Sequence, residues 1–376
     1  ESNNNTLVGF GTGRAITTDA DGTVAIGHTA LTALTSGAGN IAIGYQALDA
    51  ATTDDYNTAI GYQALSAVTG TNSNYNTAVG YRAGLALADS LRNTAIGGDA
   101  LITDCGNDNT AVGYEAGNLL TGLSNTIIGS YTGDNATTLE SAVIIGKAAG
   151  RGVLTNDANG TVLIGQQAGQ AITSGAGNIA IGFKASLGVT TGVANLAIGY
   201  QALQHTDTGD YNIAIGYNVM SDLDDVGATK DCDYNIGIGY NSMSGTWVTA
   251  ESDNNVAVGS LTMAGAMNGA LNNTAIGHSA LNALTTGDNN VAIGSNAFDA
   301  AAHGESYNIG VGAGALGGAK ENVPSSGSNA HTVDHNIAIG LDALHGGDLG
   351  TGTGTITHTG NIAIGNYALD ATGANA

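Results

Sequence analysis

Chemistry in this chain would have to come from its aspartates, its late histidines and its single tryptophan. Asp222, Asp224, Asp225, Asp231 and Asp233 crowd into one stretch, and a turn rich in carboxylates offers the oxygen ligands that Ca2+ takes. Turn aspartates also simply solvate the chain, and smaller pairs occur at Asp54 with Asp55 and Asp104 with Asp108. The expectation is therefore no cofactor, with Ca2+ as the one exception to test. Five of the eight histidines come late, as His303, His331, His335, His345 and His358. Imidazoles gathered on a threefold axis would bind a transition metal, but scattered loop histidines bind nothing, so no metal site is expected. Trp247 is the only tryptophan and the best candidate for an aromatic anchor in a partner contact.

Enzymatic signatures are missing. Gly312, Gly314 and Gly317 satisfy G-x-G-x-x-G, yet no crossover helix follows, and 60 glycines make chance matches ordinary. No nucleophile elbow, zinc-protease motif, phosphate-binding loop or EF-hand loop is present, and no pair of carboxylates stands out as a glycosidase site. The chain is read as a non-enzyme. Cys105 and Cys232 lie seven repeats apart, roughly 34 Å at one parallel strand per repeat, too far for a disulfide.

Composition narrows the class. With 8 Lys and Arg against 31 Asp and Glu, the formal charge is −23, which excludes a nucleic-acid or anionic-membrane partner. Charged residues are 10% and hydrophobic ones 42% of the 376 residues, too apolar for a disordered tail. No apolar run reaches the length of a membrane span, so no membrane insertion is expected. Without an initiating Met or a leader, the chain reads as a mature or excised segment of a soluble, extracellular protein.

The elements that position these residues come from a repeat. The words NIAIGYQAL (40–48), NTAIGYQAL (57–65), NTAVGYRAG (76–84) and NLAIGYQAL (195–203) are versions of one another. Aligned on the Gly that follows Ile or Val, twenty copies run from Gly9 to Gly365, most often 17 residues apart. Every copy has Ile or Val immediately before this marker, and nineteen have Thr, Ile or Val three before it. Such residues favour extended backbone. Between them stands Ala in fourteen copies, so period two puts the large pair on one face and Ala with Gly on the other. The large pair, including Thr58, Thr77, Thr94, Thr110 and Thr126, is expected to face inward. Asn stands four before the marker in seventeen copies, suited to a left-handed corner or to a ladder of stacked amides. Asn40, Asn57 and Asn76 with Gly44, Gly61 and Gly80 exemplify that ladder. Four after the marker, thirteen copies carry Leu, Met or Phe and six carry Gly, giving a second core contact. Tyr follows the marker at Tyr45, Tyr62, Tyr81, Tyr114, Tyr200, Tyr217 and Tyr240; it would serve as a structural stack or, less favoured, as a platform for sugar rings.

One such coil buries too little to stand alone, so coils must stack. The fold class is all-β, a parallel β-solenoid of about 20 coils with a repeat of about 17 residues, in a single repeat domain over 1–376. Coils are regular over 1–216 and loop-inserted over 217–376, where spacings of 23, 28 and 25 residues follow Gly216, Gly312 and Gly340. The inserted loops 222–234, 318–335 and 345–359 are the first places to seek a receptor contact. A strand apolar on both faces is ordinarily covered on both, which favours a homotrimer.

The words NTAIG, NIAIG and NVAIG, each followed two residues later by Ala or Ser, resemble the head repeats of YadA-like trimeric autotransporter adhesins and repeats in bacteriophage tail fibres. The resemblance implies a trimeric, left-handed parallel β-roll at a cell surface or on a virion, binding a cell-surface glycan or protein receptor. The period here is longer than the compact adhesin-head repeat, and neither a heptad stalk nor an anchor barrel is present. The expected function is a non-enzymatic extracellular adhesive or structural fibre segment. Joining the C-terminus to the N-terminus would keep the repeat spacing within its internal range, so a filament of end-to-end stacked subunits is the alternative. An ice-binding solenoid using the Thr column ranks below both, because those Thr are expected to point inward.

Overall fold

A computed structural model describes residues 4–69, 72–205, 208–222, 232–247, 250–301, 304–318, 332–346 and 357–370. Asp224, Asp225, Asp231 and His331 lie outside them, as does most of the three candidate loops. The chain forms two compact units, 1–183 and 184–376. In the first, eleven three-residue strands run from Thr6–Val8 to Ile179–Ile181, one immediately before each marker Gly. They pair parallel in chain order, each column opposite itself: Thr58 faces Thr77, Ala59 faces Ala78 and Ile60 faces Val79. In the second, nine strands from Leu196–Ile198 to Ile362–Ile364 pair in the same way. Each unit is thus a parallel β-solenoid, as the repeat predicts. Among the described residues there is no α-helix, only one 3-10 turn at Asn156–Ala158.

Period two divides each strand as expected, but the small residue is the one inside. Ala42, Ala59, Ala78 and Ala95 are wholly buried, whereas Ile60 is 37% and Ile96 39% exposed. The five Thr from Thr58 to Thr126 are half-exposed. The expectation of an inward large pair and inward Thr is therefore reversed. The cause stands across the coil. Leu31, Leu48, Leu65 and Leu101, four after the marker, are fully buried and leave room only for a methyl group opposite. Where that wall is Gly, the strand centre grows to compensate: Gly13 pairs with Leu7, Gly133 with Ile127, Gly150 with Ile144 and Gly169 with Leu163, and a Cβ on Gly13 would come 3.0 Å from Leu7 Cδ2. At Gly84 and Gly117 the centre stays Ala, and Leu87 and Leu120 fill the space.

The Leu wall has a backbone cost. Residues four after the marker are left-handed, Leu48 at φ 51° and Leu65 at 52°, and Gly there adopts the same conformation, as at Gly84 (59°). A left-handed Leu costs about 1–2 kcal/mol, while burying its side chain gains about 1.5–3 kcal/mol, so burial prevails. The residue five before the marker is left-handed too, as at Tyr56, Arg92 and Ala194. The corner therefore belongs to that position and not to the Asn beside it, whose backbone is never left-handed among the described repeats.

Asn has the other role expected of it. Asn57 N–H donates to Asn40 Oδ1 at 2.9 Å, Asn76 N–H to Asn57 Oδ1 at 2.9 Å, and Asn57 Nδ2 donates to the Ser73 carbonyl at 2.6 Å. Asn57 thus clamps the next coil at two points, whereas Asn93 holds it through its oxygen alone, its Nδ2 being buried without a partner. In the second unit this ladder runs unbroken through Asn195, Asn212, Asn235, Asn255, Asn273, Asn290, Asn308, Asn336 and Asn361. It crosses all three long spacings, so the ladder is kept on both sides of the inserted residues. Part of them forms a separate two-stranded parallel ladder, Thr332–Asp334 with Thr357–Thr359. The marker glycines stack in register beside the Asn column; Gly44, Gly61 and Gly80 have φ near 142°, open to Gly alone.

Candidate binding surfaces

The described members of the acidic cluster are tied into the scaffold. Asp233 Oδ1 accepts the Asp210 N–H at 2.7 Å, and the Asp233 N–H donates to Asp253 Oδ1 at 2.9 Å. Asp222 Oδ2 accepts the Thr246 hydroxyl at 2.8 Å. Asp222 also meets Trp247, whose backbone N–H donates to its carbonyl at 3.2 Å. These two candidate residues come together, but not as a binding site. Trp247 is 2% exposed, which overturns its reading as a surface anchor. It stands eight after Gly239, in the inward column that Leu34, Leu87, Leu120 and Leu284 occupy seven after their own markers. Cys105, eight after Gly97, fills the same column. Burial pushes its thiol up to about 12, and Cys232 is buried as well.

Of the five late histidines, His303 and His331 lie outside the described residues. His335 is exposed and stacks on Tyr307, ring centroids 5.0 Å apart. His345 Nδ1 lies 4.0 Å from Asp370 Oδ1. His358 sits in the strand Thr357–Thr359. Among the described residues no group of three or more His, Cys, Asp or Glu is arranged to hold a metal ion, and no helix is long and apolar enough to cross a membrane.

Most of the tyrosines that follow the marker form stacks, Tyr114 instead meeting Tyr131 edge-on at 79°. Tyr45 and Tyr62 rings are 5.1 Å apart and 8° from parallel, Tyr62 and Tyr81 are 5.5 Å apart, and Phe10 and His28 extend the column. Tyr200, Tyr217 and Tyr240 repeat it in the second unit. These rings turn their faces to one another and leave edges and hydroxyls to solvent, which disfavours sugar stacking and favours the structural reading. A second aromatic column, five before the marker, was not anticipated: Tyr56 stacks on Tyr75 and Tyr211 on Tyr234, at 5.2 and 5.1 Å. Its only sequence signal is the shared offset in copies otherwise filled by Gly, Ser, Asn, Arg, Asp, Ala or His.

Asp54, one of the paired turn carboxylates of the sequence, is buried rather than solvating the chain. Its Oδ1 accepts the Ser73 N–H at 2.9 Å, whereas Oδ2 is buried with no hydrogen-bond partner. Burial holds its carboxyl above the ordinary Asp value of 3.8. A carboxyl raised by folding contributes stability below its unfolded value, and that contribution is lost as pH rises through the folded value. Asp54→Asn is therefore expected to stabilise the protein by about 1 kcal/mol at pH 7. Urea titrations of both proteins at pH 7 and pH 3.5 check this: the gain should vanish at the lower pH, and an equal gain at both would exclude a burial penalty on the charge.

The largest surface feature is the outward face of the strands. Its two columns are Ile or Val immediately before the marker and Thr, Ile, Val or Leu three before it, with no charged residue in twenty copies. At three residues per strand and one strand per ~4.8 Å, this ribbon covers roughly 500 Å² in the first unit and roughly 400 Å² in the second. That is the size of the largest patch on an ordinary monomer, and such patches are often functional. No protein-family model matches the chain, and no curated protein matches it.

Proposed function

We propose that this chain is a segment of a non-enzymatic extracellular fibre, a homotrimer closed by the outward strand faces, which presents its inserted loops to a cell-surface glycan or protein receptor. The supporting observation is the uncharged apolar ribbon that continues along the strands of each unit on a chain of formal charge −23. Water contact with that ribbon is unfavourable, and like charges elsewhere oppose every other mode of close approach. Resemblance of the repeat to adhesin heads and tail fibres gives the threefold symmetry and the surface location. The Asn and Gly ladders supply a rigid scaffold on which loops can bind without rearranging it.

Mass in solution is the direct test. Sedimentation equilibrium should return three times the 37.0 kDa chain, and a monomer at micromolar concentration would remove the fibre reading. Replacing 318–335 with a short turn should then abolish attachment to target cells while leaving the trimer intact; unchanged attachment would exclude that loop.

One observation favours a second reading. The outward Thr column of the first unit is the arrangement that ice binding requires, and it needs the same face uncovered. A monomer that produces thermal hysteresis would select that reading, and a trimer without hysteresis would exclude it.

A further inference from the structure

We infer that the Thr block of the first unit fixes the axial register in which copies of this chain associate; this rests on the self-association proposed above. The outward column three before the marker reads Thr6, Val24 and Ile41, then Thr58, Thr77, Thr94, Thr110 and Thr126, then Val143, Val162 and Ile179. The five Thr are consecutive in the ladder, each opposite the next, and all are half-exposed. The companion column is Ile or Val on every rung. That column drives burial, but it is the same at every level and so favours no axial position. A polar block bounded on both sides by aliphatic residues is different at every offset.

The occupant is a second copy because neither column carries a charge, so two copies meet here with the least repulsion. In register, each Thr hydroxyl that leaves water meets a Thr of the other copy at the same level and keeps a partner. Displaced by one rung, one hydroxyl from each copy is buried against Val or Ile, and each further rung adds two more. Burying a hydroxyl without a partner is costly, whereas the aliphatic column loses little on sliding. Single polar positions set register at apolar interfaces in the same way.

The test places a spin label outside the ribbon, through the exposed Asp89→Cys, and reads the distances between copies. Cys105 and Cys232 are buried, and unsubstituted protein controls for their labelling. The native Thr block should give one narrow distance. With all five Thr changed to Val, longer distances stepped by one rung should appear, and the in-register population should fall at least about tenfold. Val143 and Val162 already occupy this column, so the variant should fold, and an unchanged circular dichroism spectrum verifies it. A single unchanged distance in the folded variant would overturn the register role while leaving self-association standing. Absence of any distance between copies, together with a monomer mass, would remove self-association and the register role with it.

Discussion

Gly44→Ala should destabilise the first unit by more than about 4 kcal/mol, whereas Gly160→Ala in the same unit should cost only about 1 kcal/mol. Both glycines have positive φ, 142° and 74°. They differ in what surrounds them. A Cβ on Gly44 would lie inside the van der Waals envelope of the Gly61 carbonyl oxygen one coil away, while nothing lies within 4 Å of one on Gly160. The Gly61 carbonyl is backbone, held by its own ladder, and cannot swing aside as a side chain would. Relief would require parting two coils, which breaks the hydrogen bond from Gly61 N–H to the Ile43 carbonyl and that from Ile41 N–H to the Asn57 carbonyl, both 2.8 Å. Urea unfolding of the two variants measures the contrast. Equal midpoints would mean that the marker glycines are not in contact from coil to coil, and the stacked-rung architecture would fail with them.

Asn255→Ala should cost about 3–5 kcal/mol, and Asn255→Asp more than that at neutral pH. Asn255 Oδ1 accepts the Asn273 N–H at 3.0 Å and Asn273 Nδ2 at 3.1 Å. Its Nδ2 donates to the Ala270 carbonyl at 2.8 Å. Truncation to Ala orphans a buried N–H and a buried C=O in the next coil, each costing about 1–3 kcal/mol. Asp keeps the acceptor but sets a second oxygen against the Ala270 carbonyl and buries a charge. The introduced carboxyl will have a folded pKa above its unfolded value. Stability lost at pH 7 should therefore return as pH falls through that folded value, where the protonated acid can donate to the carbonyl. Thermal melts from pH 7 to pH 3 on both variants check the sign: recovery for Asp and none for Ala. If Asp is tolerated as well as Ala at pH 7, the amide is not donating across the coil boundary.

Much of this architecture is legible in the residues themselves. Because parallel stacking brings identical columns together, the offset between Asn40 and Asn57, or Gly44 and Gly61, already states which residues meet. The ladder was readable for that reason, and so was its continuation past the insertions, since Asn235, Asn336 and Asn361 persist beyond them. The left-handed corner was misplaced by one residue because Tyr56 and Arg92 adopt it as readily as Gly39, leaving no compositional mark. Cys105 and Trp247 hid their burial for a related reason: each is one residue out of step with the Leu column it joins.

The amino-acid sequence by itself determined the repeat, the parallel register and the pairing of like with like, because those follow from spacing alone. Only the tertiary structure decided which face of the strand is the interior. Alternation separates Ile60 from Ala59 but does not say which of them meets the opposite wall. That choice depends on how much volume Leu65, on the far side of the coil, leaves unfilled. Once that Leu is inside, the methyl of Ala is all that fits, and the Thr, Ile and Val columns are left on the surface, where another copy of the chain can cover them.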